Sequence, residues 1–168
     1  PVKPGAAVFG IFAAGSLRSR LFVPVAMVAA KPVTISHEEA ASMPTAFGTA
    51  LLAMGDKIAS LRRGQRVLIH CGTGGVGLAL IQVAARLGAY ILSTAGSDTK
   101  REKLATVSGV AFVSTSRDVE AFERAVAAHL EGARLDVAVN CLSGSYMAAS
   151  ARLLKSGGVF VELGRRDA

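Results

Sequence analysis

The sequence contains no tryptophan and only two tyrosines, and this shortage of aromatic side chains limits the partners that it can bind. Proteins that hold single-stranded nucleic acid usually stack the bases on aromatic rings, and only 5% of these residues are aromatic. The net charge of +7 favours anionic partners, but the basic residues are spread in ones and twos, as on a solvated surface. We therefore expect no nucleic-acid partner, whereas a phosphorylated cofactor or an acidic carrier protein would suit the same charge.

Long hydrophobic runs are also missing. No apolar stretch approaches the roughly 20 residues that a membrane-spanning helix needs, so we expect no membrane partner. The chain of 168 residues is 51% hydrophobic and 18% charged, which is typical of a globular protein with one good core.

Cysteine and histidine are too few and too scattered to predict a metal site. Cys71 and Cys141 are the only cysteines, and neither belongs to a C-x-x-C pair. We interpret them as two buried thiols in a reducing compartment, which indicates a cytoplasmic protein. His37, His70 and His129 have no paired ligands at metal spacing; we expect a helix-cap surface residue, a satisfied strand-end residue and a surface helix residue, respectively.

What the sequence does have is a glycine-rich turn between a short apolar strand at Val67–Cys71 and a helix at Leu78–Leu87. The turn fits G-x-G-x-x-G, in which glycines permit the tight turn, the close approach of a pyrophosphate and the packing of helix on sheet. The helix N-terminus then offers free N–H groups to an anion. We predict that a dinucleotide is bound here by Gly72, Thr73, Gly74, Gly75, Val76 and Gly77.

Strand and helix patterns then alternate to the end of the chain. The strands are predicted at Tyr90–Thr94, Val110–Ser114, Leu135–Asn140 and, after a turn at Gly157-Gly158, Val159–Leu163, with helices at Val119–Leu130 and Tyr146–Leu154. This order predicts an α/β fold, a Rossmann-type doubly wound parallel sheet whose ligand lies at the carboxyl ends of the strands. Further cofactor contacts are expected where the later strands end, at Ser116, Arg117, Asn140, Leu142, Leu163 and Gly164.

The end of the second strand of this fold lacks an acid. An Asp or Glu there would hold the ribose 2′-hydroxyl of NAD, but the segment from Ser93 to Ser97 is small and hydroxylated. Asp98 follows as the predicted N-cap of a helix, with Lys100 and Arg101 in its first turn. These cations could simply solvate the helix, but together with the missing acid they favour a 2′-phosphate. We therefore predict NADP(H), held by Thr94, Ser97 and Lys100.

The first part of the chain is different in character. β-rich runs at Ala7–Phe12 and Leu21–Ala30 are too few to close a sheet, and Pro24 suits an edge or a bulge. We interpret residues 1–35 as the tail of an N-terminal substrate and catalytic lobe, and residues 36–168 as the nucleotide-binding domain, truncated at its C-terminal end.

A helix is predicted to begin with a capping box at Ser36 and Glu39 and to break at Met43-Pro44, giving helical stretches over 38–41 and 46–58. Thr45 follows the break. Its residue type favours helix packing over a ligand contact.

The segment Val67-Leu68-Ile69-His70, with Gly74-Gly75-Val76-Gly77, resembles the nucleotide-binding signature of the medium-chain dehydrogenase/reductase superfamily. Three later segments resemble the enoyl reductase domains of polyketide synthases and animal-type fatty acid synthases: Ser116-Arg117-Asp118, Asn140-Cys141-Leu142-Ser143-Gly144 and Val161-Glu162-Leu163-Gly164. The resemblance implies a zinc-free, GroES-like catalytic lobe of which the β-rich start is a remnant, and it implies that Thr45 contacts the cofactor.

The activity that the resemblance implies is NADPH-dependent reduction of a 2-enoyl thioester on an acyl carrier protein, within a multidomain synthase. Hydride would go to the β-carbon and a proton to the α-carbon. The family often has a lysine directly after the glycine of the last strand, as a proposed proton donor. Arg165 stands there in this chain, which is a departure, because arginine is a poor proton donor. Arg165 could still stabilise the enolate or contact the cofactor, and it is the one catalytic residue that we predict.

Alternatives stay open at this point. One is a free-standing NADPH quinone or enone oxidoreductase, and another is a cofactor-binding module that is inactive alone. An S-adenosylmethionine methyltransferase is disfavoured, because its second strand usually ends in an acid. A homodimer formed through exposed sheet edges is expected only by analogy.

Overall fold

The computed structural model describes residues 2–12, 15–16 and 18–164. The chain divides into two compact units, Pro1–Gly48 and Thr49–Ala168. None of the helices in the described ranges is both long and apolar enough to cross a membrane.

The first unit holds a small antiparallel pair of strands. Strand β1 (Val8–Gly10) pairs with β2 (Val28–Ala30), and a single 3-10 turn (Val25–Met27) precedes β2. Both strands are shorter than the predicted β-rich runs. Pro24 is the physical reason at β2, because its fixed φ of −58° suits the start of the 3-10 turn that takes the place of the strand.

Helix α1 (His37–Met54) begins with the predicted capping box. The Ser36 N–H donates to Glu39 Oε2 at 2.8 Å, and the Glu39 N–H donates to Ser36 Oγ at 3.1 Å. The predicted break was wrong: α1 runs unbroken through Pro44, which removes one N–H donor from a helix that is otherwise rich in alanine. The helix also ends four residues earlier than expected, before Gly55, where a β-carbon would lie 2.7 Å from the Leu51 carbonyl oxygen.

The second unit is the predicted doubly wound sheet. Five parallel strands lie in the order β5-β4-β3-β6-β7. They are β3 (Arg66–Ile69), β4 (Tyr90–Ala95), β5 (Val110–Thr115), β6 (Leu135–Asn140) and β7 (Leu154–Glu162). The connecting helices are α2 (Gly75–Arg86), α3 (Asp98–Ala105), α4 (Val119–Leu130) and α5 (Ser145–Leu153).

The core of this unit lies between the sheet and its helices. Leu68 and Leu92, on neighbouring strands, are fully buried and pack in one cluster with Phe122 and Val126 of α4 and with Ala149 of α5. Helices α2 and α3 contact β3, β4 and β5 through their own buried residues. Side chains that alternate along each strand therefore meet different helices, as the near-continuous apolar strands predict.

Strand β7 differs most from its prediction, because it begins five residues earlier, at Leu154. Its pairing with β6 is irregular: Leu135 pairs with Leu154, but Val137 pairs with Val159. The extra residues form a bulge in which Gly157 adopts a φ of +72°, a conformation that suits glycine. The two glycines that predicted a turn into the strand therefore lie in a bulge within it.

Candidate functional site

The site lies where the order of the strands reverses. Strand β3 leads through α2 to β4 on one side, whereas its other neighbour, β6, leads through α5 to β7 on the opposite side. The connections therefore diverge and leave a crevice at the carboxyl ends of β3 and β6. A cavity of about 280 Å³ lies there, and it is lined by Thr49, His70, Val76, Gly77, Leu80, Val139, Asn140, Cys141 and Leu163.

The glycine turn has a buried side and an exposed side. Gly72 and Gly77 are buried, and a β-carbon on Gly77 would lie 2.3 Å from the Cys71 carbonyl oxygen. Gly74 and Gly75 are exposed at the start of α2, and a β-carbon on Gly75 would meet nothing within 4 Å. Gly74 is the N-cap and provides no side chain to the first N–H groups of α2. The N–H groups of this first turn have no intrahelical acceptor, and the turn begins at an exposed surface, which is the arrangement that binds a phosphate.

A buried histidine lies directly before the glycine turn and is hydrogen-bonded on both ring nitrogens. The imidazole of His70 is 2% exposed, with Nδ1 3.0 Å from Thr94 Oγ1 and Nε2 2.8 Å from Ser150 Oγ. Burial lowers the pKa of His70 to about 4, so the ring is neutral at pH 7. The Cys71 N–H also donates to Thr94 Oγ1, at 3.3 Å. The prediction of a satisfied strand-end histidine is confirmed.

The start of α3 lies directly after β4. Its N-cap is Ser97, not Asp98 as predicted: the Ser97 backbone is extended, and its Oγ accepts from the Lys100 N–H at 3.4 Å. Asp98 is instead the first residue of the helix and pairs with Arg101. This ion pair neutralises the nearest acid, whereas the exposed ammonium group of Lys100 has no ion-pair partner among the described residues.

A second cation reaches this region from the loop after β5. The Arg117 guanidinium donates through Nε to the Gly96 carbonyl oxygen at 3.3 Å, and so lies against the loop that ends β4. The adjacent Ser116 is tied to the same strand, because its N–H donates to the Ala95 carbonyl at 3.1 Å. Two of the predicted cofactor residues, Ser116 and Arg117, therefore lie beside the loop that carries Ser97.

The loops after β6 and β7 are joined by a network that the sequence did not reveal. Buried Asn140 donates through Nδ2 to Glu162 Oε2 at 2.9 Å and accepts at Oδ1 from the Leu142 N–H at 3.2 Å. The other carboxylate oxygen of Glu162 accepts from the Gly164 N–H at 2.6 Å, and the Leu163 N–H donates to the Asn140 carbonyl at 2.8 Å. The network thus brings together four residues that were predicted to contact the cofactor: Asn140, Leu142, Leu163 and Gly164. Glu162 entered the sequence analysis only as part of the segment Val161-Glu162-Leu163-Gly164, and an acid inside an apolar strand was the one local signal of its role.

The expectation that both cysteines are buried was wrong. Cys71 is half-buried and Cys141 is exposed, because each lies just beyond the end of its strand rather than within it. Strands β3 and β6 are neighbours in register, with Ile69 opposite Val139. The two cysteines, 70 residues apart in sequence, therefore lie side by side just beyond the ends of these strands, and each thiol shifts the pKa of the other.

Three predicted residues stand apart from this arrangement. Thr94 is fully buried and offers no surface to a ligand in this structure, so its direct contact with a cofactor stays a prediction. Thr45 belongs to the first compact unit, on α1. Arg165 lies outside the described residues. For these two positions as well, the proposed roles stay predictions.

Comparison with known proteins gives a consistent answer. Residues 75–167 match the sequence profile of the zinc-binding dehydrogenase family. A highly reducing polyketide synthase of Penicillium crustosum is 38% identical over 94% of this chain, although the chain spans only 7% of that protein.

Solved structures of enoyl reductases are also similar to this chain. The CurK enoyl reductase superposes with a TM-score of 0.80 at 37% identity, covering 87% of this chain and 43% of that one. The nucleotide-binding subdomain of the enoylreductase domain of PpsC from Mycobacterium tuberculosis gives a TM-score of 0.68 at 40% identity, covering 72% and 66%. The chain therefore belongs to the zinc-binding dehydrogenase family, within the medium-chain dehydrogenase/reductase superfamily, and its relatives there are the enoyl reductase domains of polyketide synthases.

Proposed function

We propose that this chain binds NADP(H) at the carboxyl edge of its sheet and forms the nucleotide-binding part of an enoyl reductase in polyketide or fatty acid synthesis. The observation that carries the proposal is the charge at the end of β4. The exposed Lys100 and the neighbouring Arg117 are cations, and the one nearby acid, Asp98, is paired with Arg101. A 2′-phosphate would be attracted to this position, and the acid that selects NAD is missing.

The other end of the nucleotide has its own supports. The exposed start of α2 at Gly74 and Gly75 would hold the pyrophosphate, with the positive end of the helix dipole toward it. The network of Asn140 and Glu162 fixes the loops that would flank the nicotinamide. Support also comes from the PpsC structure, which is described as a nucleotide-binding subdomain.

The proposed substrate is a 2-enoyl thioester carried by an acyl carrier protein. A nicotinamide cofactor, when bound, would supply the hydride that reduces the double bond. Support for the partners is that the curated relatives are multidomain polyketide synthases, in which carrier and reductase domains would share one chain. In this proposal the residues described above bind and orient the cofactor, and Arg165 contacts the reacting centre.

Zinc has no role in the proposal, despite the name of the family. Among residues 2–12, 15–16 and 18–164, no three His, Cys, Asp or Glu side chains are grouped as a metal ion would need. The donor set of a zinc site is therefore not present in this part of the chain, and no step is assigned to a metal.

The nucleotide preference is tested by titration with NADPH and NADH under identical conditions. We expect NADPH to bind at least about tenfold more tightly, since a 2′-phosphate gains charge-assisted hydrogen bonds at Lys100. Lys100→Ala should remove most of that difference. Lys103→Ala is the matched control, because it removes the same charge from the exposed surface of the same helix and should leave the preference intact. Equal affinities for both nucleotides in the parent chain would overturn the proposal.

The reaction class is tested separately, by following NADPH oxidation with a 2-enoyl thioester or with a quinone. Oxidation with the thioester supports the enoyl reductase. Oxidation with the quinone alone supports a quinone oxidoreductase. Tight NADPH binding with neither oxidation supports the cofactor-binding module and contradicts turnover by this chain alone.

A further inference from the structure

Two thiols meet at the carboxyl edge of the sheet, at the point where the glycine turn begins. Strands β3 and β6 are parallel and in register up to Ile69 and Val139, so Cys71 and Cys141 occupy equivalent positions two residues further on. The two side chains therefore lie side by side at this edge, close enough for each thiol to shift the pKa of the other. Because the chain contains no other cysteine, an intramolecular disulfide can form only between these two sulfurs.

The backbone fixes the position of Cys71. It adopts a φ of +54°, which is uncommon for a residue with a β-carbon. The conformation is held because the Cys71 N–H donates to Thr94 Oγ1 and its carbonyl accepts from the Gly74 N–H at 2.9 Å. Cys141, in contrast, is exposed and lines the cavity. One thiol is therefore held rigidly, while the other is open to solvent and within reach of it.

The surroundings also make the two thiols unequal. The hydrogen bond from Cys141 lowers the pKa of Cys71 to about 7, with help from the charges of Arg117 and Lys100 and against the effect of burial. The same hydrogen bond raises the pKa of Cys141, because its proton is shared with the neighbouring sulfur. At neutral pH the thiolate, and hence the nucleophile, is Cys71.

We propose that Cys71 and Cys141 form a redox-active dithiol that hydrogen peroxide converts to an intramolecular disulfide. The Cys71 thiolate attacks one peroxide oxygen, the O–O bond breaks, and the leaving hydroxide takes up a proton to become water; Cys71 is then a sulfenic acid. Cys141 loses its proton and its sulfur attacks the Cys71 sulfur, so that an S–S bond forms, the S–O bond breaks and a second water leaves. Two electrons pass from the sulfur pair to the peroxide. Neither thiol needs a nucleotide for this step.

The test is peroxide treatment of the reduced 168-residue chain, followed by intact mass and free-thiol measurements. We expect the free-thiol count to fall from two to zero, the mass to fall by two hydrogens without dimer formation, and dithiothreitol to reverse both. Proteolytic mapping should link the peptides of Cys71 and Cys141. A folded chain that keeps both thiols free, or that forms only disulfides between chains, would contradict the proposal.

Single variants separate the two roles. In Cys141→Ser the sulfenic acid on Cys71 has no partner, so dimedone should trap it. In Cys71→Ser the remaining thiol should react with peroxide or iodoacetamide roughly tenfold more slowly at pH 7 than Cys71 does in Cys141→Ser. The charges of Arg117 and Lys100 still favour a thiolate at Cys71 in one variant, whereas Glu162 still disfavours a thiolate at Cys141 in the other. Circular dichroism confirms that each variant is folded before comparison. Equal reaction rates in the two variants would contradict the assignment of Cys71 as the nucleophile and overturn the proposal.

Discussion

At the scale of single residues, His70 shows how burial at this site links protonation to folding. Its imidazole is neutral in the folded chain because burial lowers its pKa to about 4, compared with 6.5 for an unperturbed histidine. Between pH 6.5 and 4 the unfolded chain therefore binds a proton that the folded chain does not. The free energy of unfolding is therefore not reduced by this group above pH 6.5, and it falls as the pH approaches 4, by up to about 3 kcal/mol.

This dependence can be measured by urea unfolding at a series of pH values. His70→Gln should unfold with a shallower loss of stability between pH 6.5 and 4 than the parent chain, whatever its stability at pH 7. Ser150→Ala removes a hydrogen-bond partner of the ring without removing the titrating group, so it should lower the stability but keep the slope. Identical slopes in His70→Gln and the parent chain would show that this imidazole is not the linked group.

The residue types predicted some roles at the site and missed others, for identifiable reasons. The missing acid after β4 could be seen directly in the sequence, and the structure leaves Lys100 exposed there. Ser97 and Asp98 are both good N-cap residues, so their order alone could not show which of the two caps α3. That choice depends on where the backbone leaves β4, and the extended conformation occurs at Ser97. The Asn140 side chain that pairs with Glu162 lies at the end of a different strand, and no local pattern indicates that contact.

At the scale of elements, the glycine turn separates a packing role from a binding role. Gly77→Ala would place a methyl group 2.3 Å from the Cys71 carbonyl oxygen and 2.8 Å from Gly72 Cα. Both contacts are with backbone, so the turn itself must shift, and we expect the free energy of unfolding to fall by about 2 kcal/mol or more. Chemical denaturation of the chain without nucleotide measures this directly.

Gly75→Ala is the matched variant. It adds the same methyl group at the first residue of α2, where nothing lies within 4 Å, and alanine is a better helix former. Its stability should equal or exceed that of the parent chain, whereas its affinity for NADPH should fall, because the methyl group occupies the space proposed for the pyrophosphate. A stable Gly75→Ala chain that binds NADPH as tightly as the parent would place the phosphates elsewhere.

The elements themselves were predictable to different degrees. Helix α4 and strand β6 have the predicted bounds, because both have strong periodic patterns between clear breaks. The unbroken course of α1 through Pro44 was not predictable from local preference, since tertiary packing can offset one lost hydrogen bond. The early start of β7 depends on a bulge, whose register is set by its partner strand β6.

At the scale of the whole molecule, alternation of strands and helices predicted the fold class, but it could not show every pair of neighbouring strands. The order β5-β4-β3-β6-β7 places β3 beside β6, which are distant in sequence. That pairing brings the two cysteines together and creates the crevice between the glycine turn and Asn140. The sequence predicted which residues lie at this edge, whereas only the three-dimensional arrangement shows which of them are in contact.

The net charge of +7 belongs to the molecule as a whole, and its part in binding can be separated from that of Lys100 by varying the salt concentration. Raising the ionic strength from 0.1 M to 1 M shortens the screening length from about 10 Å to about 3 Å. NADPH carries more negative charge than NADH, so we expect its affinity to fall several-fold more steeply with salt, as followed by fluorescence titration.

Lys100→Ala and Lys103→Ala lower the net charge by the same amount, so any effect of the overall field must be equal in the two variants. If the 2′-phosphate is held at Lys100, the salt dependences for NADPH and NADH should differ much less in the Lys100→Ala chain than in the parent chain. In Lys103→Ala the two nucleotides should still differ, because the exposed ammonium group at the start of α3 is intact. Equal loss of the difference in both variants would show that diffuse attraction, rather than a built phosphate site, selects the nucleotide.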